Sequence, residues 1–447
     1  MANARPTLRR AAALGSAALL ILVVHSACQP TAPEPPRPNI VVIFSDELAP
    51  EFLGAFGGSF PTPNLDRLAS EGLRFTRAYS AAPMCTPSRF GLLTGTYAGR
   101  STDPAFLEAF PPTEPYSIAW NTYLTPETVT LPRVLSKAGY VTGMAGKWHL
   151  GRMPEGLSLP ALEADADPAD PVVEAKLRER QHIVRKRIGE EGGFDDVRSA
   201  SWGNFDGFPV KALAMHNFPW ITKGAVDFIE DHADSAAPFF LYVATTAVHG
   251  PYHPDEFEHD PRNTLQGRVE GVADYALDAD EVNAALAEVP EHRRHKYAGM
   301  VSLDHHVGVI LDTLETQGVA DDTIVVFMAD HNTEPGKATV YEKGSVVALL
   351  VRWCDLRHVF ESTRTSLSTL WDHGRFSVGT LLASDLLNSS DVFLIGAWLG
   401  PTAVGKYAVA QRLVHALRLP IRAAGSVLMP DIAQAGRLGD RDEVRRI

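Results

Sequence analysis

The chain has 447 residues, 45% hydrophobic and 21% charged, an ordinary globular balance with room for one large domain and an appendage. Its formal net charge is -13, from 54 acidic and 41 basic residues, which gives no support to a nucleic-acid partner because a backbone binder needs a basic surface. A small anionic substrate remains compatible, since a site can be locally basic within an acidic protein.

Arg5, Arg9 and Arg10 precede an apolar run from Ala11 to Val24, too short to cross a bilayer and patterned as an export signal. Residues 1–28 are therefore expected to be a signal peptide that sends the chain to the periplasm or cell surface. Ala27 before Cys28 makes that cysteine a candidate lipid-attachment site, although His25 stands where such signals usually carry an aliphatic residue. An uncleaved anchor helix is the alternative. Residues 29–38 are proline-rich and are expected to form an extended linker. With only Cys28, Cys85 and Cys354 present, no disulfide framework is indicated.

Asn39 to Phe44 is a continuous apolar, β-branched run that suits a parallel strand covered on both faces, and it ends in Ser45-Asp46-Glu47. Thr62-Pro63 opens a helix through Glu71, with Gly72 as the stop. The alternation then repeats: a helix over Thr130–Ala138, a strand over Tyr140–Ala145, a helix over Thr222–Ala233 and a strand over Phe239–Ala244. Met300, Leu303, Val307, Ile310, Leu311 and Leu314 form one apolar helical stripe, and the strand Thr323–Met328 leads to Asp330-His331. Such alternation predicts an α/β fold, a mainly parallel sheet between helical layers. Acidic residues at strand C-termini fall where open α/β sheets place their sites. The charged stretch from Pro154 to Gly193 is expected to be a surface insertion.

Cys85-Thr86-Pro87-Ser88-Arg89 resembles the signature of type I sulfatases, members of the alkaline phosphatase superfamily. The flanking Thr62 to Ala69 and Leu92-Leu93-Thr94-Gly95 agree with that family in order and spacing, as do Gly146-Lys147-Trp148-His149-Leu150-Gly151, Pro238 to Tyr242 with His249, and Ala329-Asp330-His331. The likeness runs from about Arg37 to Arg352. It implies an alkaline-phosphatase-like fold and hydrolysis of a sulfate ester on a small molecule or glycan.

The resemblance further implies that a formylglycine-generating enzyme oxidises Cys85 to Cα-formylglycine. The hydrated aldehyde is then a geminal diol: one hydroxyl attacks sulfur, and loss of a proton from the other expels sulfate, a self-clearing route closed to serine. By the same resemblance Asp46, Glu47, Asp330 and His331 join position 85 as ligands of a divalent ion, calcium first among the candidates. Glu47 and His331 depart from the family's commonest Asp and Asn. Arg89 is expected to orient formylglycine and the metal-side carboxylates, and Lys147 and Lys337 to contact sulfate. His149 is expected to assist diol deprotonation, and His249 to bind sulfate or protonate the leaving oxygen. His216, His305 and His306 receive no role. Phosphodiester or phosphonate hydrolysis on the same scaffold stays open, as does an inactive, incomplete fragment.

From Cys354 the likeness stops, so residues 39–353 are expected to be a catalytic domain lacking its last elements. Residues 354–447 are expected to form a non-sulfatase helical tail. Ser390 to Leu413 resembles part of a polysaccharide-exporting flippase, though Asp391 and Lys406 interrupt its apolar runs. Membrane contact through the N-terminus and this tail is the corresponding expectation.

Overall fold

The computed structural model describes residues 37–353, apart from 112–117, 119–121, 151–158, 251–256, 334–335 and 340. The chain divides into two units, Met1–Leu356 and Arg357–Ile447. The expected signal peptide, most of the linker, Cys28, Cys354 and the tail lie outside the described residues. No helix among the described residues is long and apolar enough to cross a membrane.

In chain order the elements are β1 (Asn39–Ser45), α1 (Pro63–Ser70), β2 (Leu73–Arg74), α2 (Cys85–Thr94), α3 (Pro104–Ala109), α4 (Leu131–Lys137), β3 (Val141–Lys147), α5 (Pro171–Gly192), β4 (Asp196–Ser201), α6 (Phe218–His232), β5 (Phe239–Ala244), the short pair β6 (Asn263–Thr264) and β7 (Gly267–Arg268), α7 (Ala279–Ala287), α8 (Glu291–Thr316), β8 (Thr323–Ala329), α9 (Glu342–Ser345) and β9 (Leu349–Arg352). Seven strands form one sheet in the order β2-β9-β8-β1-β5-β3-β4. The run from β8 to β4 is parallel throughout, while β9 lies antiparallel on β8 and β2 antiparallel on β9. This is the predicted α/β fold with a mostly parallel sheet.

Alternate residues of the central strand feed separate cores, as the two-residue period of a strand requires. Val41 and Ile43 join a cluster with Leu65, Leu68, Phe228, Leu303 and Leu311, so α1, α6 and α8 cover that face. Val42 and Phe44 join Phe90, Leu93, Val184 and Ile188, so α2 and α5 cover the other. Burying both faces explains why β1 and β5 are apolar without alternation.

Two sequence expectations shift. Helix α6 begins at Phe218, four residues before the expected start, because its N-cap Asn217 is left-handed with φ 52° rather than a β-region serine or threonine. The stretch expected to be a surface insertion contains the 22-residue α5, which buries Leu177, Gln181, Val184 and Ile188. Their spacing is helical, but a glutamine in the stripe and charges on every other side conceal it.

His306 is buried in α8, stacked on Phe218 at 5.2 Å, with Nδ1 2.9 Å from Thr222 Oγ1. Burial, reinforced by His305, holds it well below the ordinary histidine range, so it is neutral in the folded state. The unfolded chain takes up a proton below about pH 6.5 that the folded chain refuses, so stability falls as pH drops through that value, by up to ~1.4 kcal/mol per pH unit per histidine. His306→Gln is expected to remove about one proton from this slope, read from urea unfolding between pH 7 and pH 5.5. An unchanged slope would mean that His306 is protonated or solvated in the native protein.

Candidate active site

Strand register places the first two acids. Ser45 pairs with Ala329 as the last rung between β1 and β8, so Asp46 and Asp330 leave the sheet side by side. Asp330 N donates to Ser45 O at 2.8 Å, Glu47 N donates to Asp330 Oδ1 at 3.0 Å, and Leu48 N donates to His331 O at 3.1 Å. On the other side of β1 lies β5, and Asp46 N donates to Ala247 O just past its end. Beyond β5, β3 ends in Lys147. Gly146, with φ 99°, approaches Ala244 so closely that a Cβ would collide with its carbonyl, so only glycine brings Lys147 to this edge.

Cys85 is the first residue of α2, and its buried Sγ lies 3.1 Å from His331 Nε2 and 3.4 Å from Asp46 Oδ1. Asp46, Cys85, Asp330 and His331 each offer one donor atom, and these atoms all lie within 4.8 Å of one another in the interior. Arg89, one turn into α2, is fully buried: it contacts Asp330 at 3.0 Å and Asp46 at 3.5 Å, and donates to Lys147 O at 3.1 Å. Lys147 Nζ contacts Asp46 Oδ2 and Asn204 Oδ1.

These contacts set the charges. Burial alone would raise Asp46, but Lys147 and Arg89 outweigh it and hold the carboxyl well below the usual range. Burial would lower Arg89, but Tyr242, Asp330 and Asp46 raise it instead. Burial, with Asp46 adding to it, pushes the Cys85 thiol far up, so the unmodified cysteine is a poor thiolate here. Burial next to Lys147 and Arg89 keeps His149 neutral, with Nδ1 buried and without a hydrogen-bond partner among the described residues.

A second group sits above the first. Glu47 has φ 57° and turns its carboxylate to Lys337 Nζ at 2.8 Å, with Lys296 at 3.7 Å. Burial would raise Glu47, yet the Lys337 hydrogen bond and charge lower it. Lys337 Nζ also lies 2.8 Å from His249 Nε2. An ammonium only donates, so His249 accepts at Nε2 and carries its proton at Nδ1, 2.5 Å from Gly250 O.

All ten candidate residues thus lie at one end of the sheet, in two groups. Cys85, Arg89, Lys147, Asp46, Asp330 and His331 form the deep one, with His149 beside it through a 2.9 Å bond from Thr86 Oγ1 to its carbonyl. Glu47, Lys337 and His249 form the upper one, and Glu47 stands apart from the four-donor cluster. Sequence reasoning missed Asn204, Tyr242 and Lys296. A phenol within an otherwise apolar strand was a signal for Tyr242, whose hydroxyl receives Arg89 at 3.4 Å. Nothing local marks Asn204 or Lys296. His216, given no role, is buried with Nδ1 2.7 Å from Thr246 Oγ1 and shares a small cavity with His249 and Asn204. His305 and His306 lie on α8 outside this site.

The sulfatase family profile matches residues 38–355, and the chain belongs to that family, whose members are sulfuric ester hydrolases. The N-acetylgalactosamine-6-O-sulfatase of Bacteroides thetaiotaomicron is 26% identical, covering 71% of this chain and 68% of its own length. Human arylsulfatase A is 30% identical over 71% of this chain and 59% of its own length. The dog N-acetylgalactosamine-6-sulfatase is 30% identical over 83% and 63%. This chain therefore spans about three fifths to two thirds of these relatives. The solved PsFucS1 sulfatase of Pseudoalteromonas superposes with a TM-score of 0.45 and 23% identity, covering 71% of this chain and 62% of that one. The family match ends at 355, and nothing supports the flippase resemblance of the tail.

Arg89 bridges two buried carboxylates, so removing it leaves them facing each other. Arg89→Met is expected to cost about 3–5 kcal/mol in denaturant unfolding with chelator present. Arg89→Lys should recover only part, because a point charge cannot span both acids as a planar guanidinium does. A loss below about 1 kcal/mol would show that the bridge is not structural.

Proposed function

We propose that this chain hydrolyses a sulfate ester on a sulfated small molecule or glycan, with a formylglycine made from Cys85 as nucleophile and a divalent cation, calcium first, at Asp46, Asp330 and His331. The observation that carries this reading is Cys85 itself: buried at a helix start, its Sγ 3.1 Å from His331 Nε2, within a family whose members are sulfatases. As a thiol it is held protonated, which argues against direct thiolate attack and agrees with a modified residue.

The donor set fits a cation. Two wholly buried carboxylates, an imidazole and position 85 converge, and a divalent ion would relieve the repulsion between the acids. His331 Nδ1 lies 2.6 Å from Asn332 O, which fixes that nitrogen as the protonated one and leaves Nε2 facing the cluster as a donor. The Glu47 carboxylate is engaged by Lys337, so it serves the cation less directly than the resemblance implies. Once formed, formylglycine supplies an oxygen nucleophile, and the cation when bound supplies charge stabilisation for sulfate oxygens.

The remaining roles belong to side chains. Neutral His149 is available to take a proton from a hydroxyl at position 85. Lys337 Nζ carries the proton it donates to His249 Nε2 at 2.8 Å, so the pair holds one proton between them that can pass to a leaving oxygen, with the Lys337 charge set against sulfate. Lys147 and Arg89 already neutralise Asp46 and Asp330, and Lys337 and Lys296 outnumber Glu47, so the upper group attracts an anion within an acidic protein. We also propose export to the periplasm or cell surface, supported by Arg5, Arg9, Arg10 and the apolar run after them.

Coexpression with a formylglycine-generating enzyme is expected to give a protein that reacts with a hydrazide at position 85 and turns over an aryl sulfate. The aryl phosphate diester and phosphonate should be slower, and Cys85→Ala should be inactive yet folded. A thiol at position 85 under conditions that convert a control sulfatase would refute the reading. Chelation should lower turnover and melting temperature together, and added calcium should restore both. Asp330→Asn should weaken cation binding more than His331→Asn. Identical melting curves with and without calcium would count against the cation.

A further inference from the structure

Beside the buried cluster lies a cleft of about 420 Å³, lined by His149 and by residues of α5 and the loop after β4. Its walls include Arg180 and Gln181 from α5 and Trp202, Asn204 and Phe208 from that loop. His149 faces this cleft from the deep group, and Asn204, which holds Lys147, lines it as well. The cleft therefore opens directly beside the proposed reaction centre.

Two of its polar groups are unspent. Arg180 is half-buried with its guanidinium over the Phe208 ring at 5.4 Å, and it makes no hydrogen bond or ion pair among the described residues. Its neighbours on the helix behave differently: Arg178 pairs with Glu174, and Arg187 pairs with Glu191 at 2.8 Å. Burial lowers Arg180 with no carboxylate set against it. Gln181 is 4% exposed, yet its Nε2 has no partner among the described residues. A buried amide donor and an uncompensated guanidinium each carry a desolvation cost that a ligand can relieve. Asp206 also lines the cleft, but it is exposed at the mouth, where water screens it.

The cleft chemistry is thus cationic and donor-rich on the α5 side and aromatic on the loop side. An indole and a phenyl ring suit the faces of a pyranose, and a guanidinium supported by an amide donor suits a planar or tetrahedral anion. We propose that this cleft binds a saccharide carrying a second anionic group, a carboxylate or another sulfate, with Arg180 and Gln181 holding that group while the scissile sulfate lies at position 85. This proposal rests on the sulfatase reading for the scissile group, and it assigns α5 as the element that selects the substrate.

The test separates the two. Calorimetry on the full chain carrying Cys85→Ala, which binds without turnover, compares three saccharides of equal size: one sulfate only, one sulfate plus a carboxylate, and two sulfates. At least one doubly anionic ligand is expected to bind ~10-fold or more tightly than the singly charged one, the effect of one charge-assisted contact, and the two arms identify the anion. Adding Arg180→Met should bring that ratio close to one. Arg178→Met, which removes the same charge from the solvent face of α5, should leave it intact. Equal binding of all three ligands, or a preference that survives Arg180→Met, would overturn the proposal. Aryl sulfate turnover by the converted wild-type protein tests the sulfatase reading separately, so a positive turnover result with no binding preference sinks only the α5 assignment.

Discussion

Asp46 and Asp330 are both wholly buried and leave adjacent parallel strands one residue beyond their last shared rung. Two carboxylates this close in a low-dielectric interior repel each other and lose their hydration, a combination that costs several kcal/mol unless cations answer it. Arg89 from α2 and Lys147 from β3 provide the answer, and both are equally buried. That requirement fixes the surrounding chain. Helix α2 must start where Arg89 reaches both acids, which sets Cys85 against Asp46 and His331. Strand β3 must pass close to β5, which is why position 146 is a glycine.

The site is built in tiers of charge. Below, two cations balance two carboxylates, leaving a near-neutral cradle whose donors suit a divalent ion. Above, Glu47 is answered by both Lys337 and Lys296, so the rim is left positive. This local excess coexists with a formal net charge of -13. A negatively charged protein surface disfavours nonspecific polyanions, while the rim still draws a small anion over distances near the Debye length. The division also explains why the histidines differ. His149 lies in the lower tier, where burial beside Lys147 and Arg89 keeps it neutral, whereas His249 sits in the upper tier and accepts from Lys337 at Nε2.

Much of this was legible in the sequence because it depends on local order. Apolar runs without alternation marked β1 and β5, acids directly after β1 and β8 marked the sheet edge, and Cys85 to Arg89 is a short motif within a single helical turn. Those features survive any rearrangement of the rest, since strand period and helix pitch are set by neighbouring residues. The resemblance added the roles, and the family match over residues 38–355 agrees with its extent.

What the sequence could not supply was distance between remote segments. Glu47 follows Asp46 directly, yet a left-handed φ turns its side chain out of the donor cluster to Lys337, 290 residues away. Asn204 and Lys296 meet the site only because β4 and α8 deliver them, and no local pattern announces either. Helix α5 looked like a charged surface insertion, but packing buried one stripe of it and set Arg180 and Gln181 into a cleft beside His149. The sequence by itself determined the family and which strand ends carry acids, because motifs and strand ends are local. Only the tertiary structure decided which side chains share a charge and which line the cleft beside His149, because those depend on strand order and helix packing across hundreds of residues.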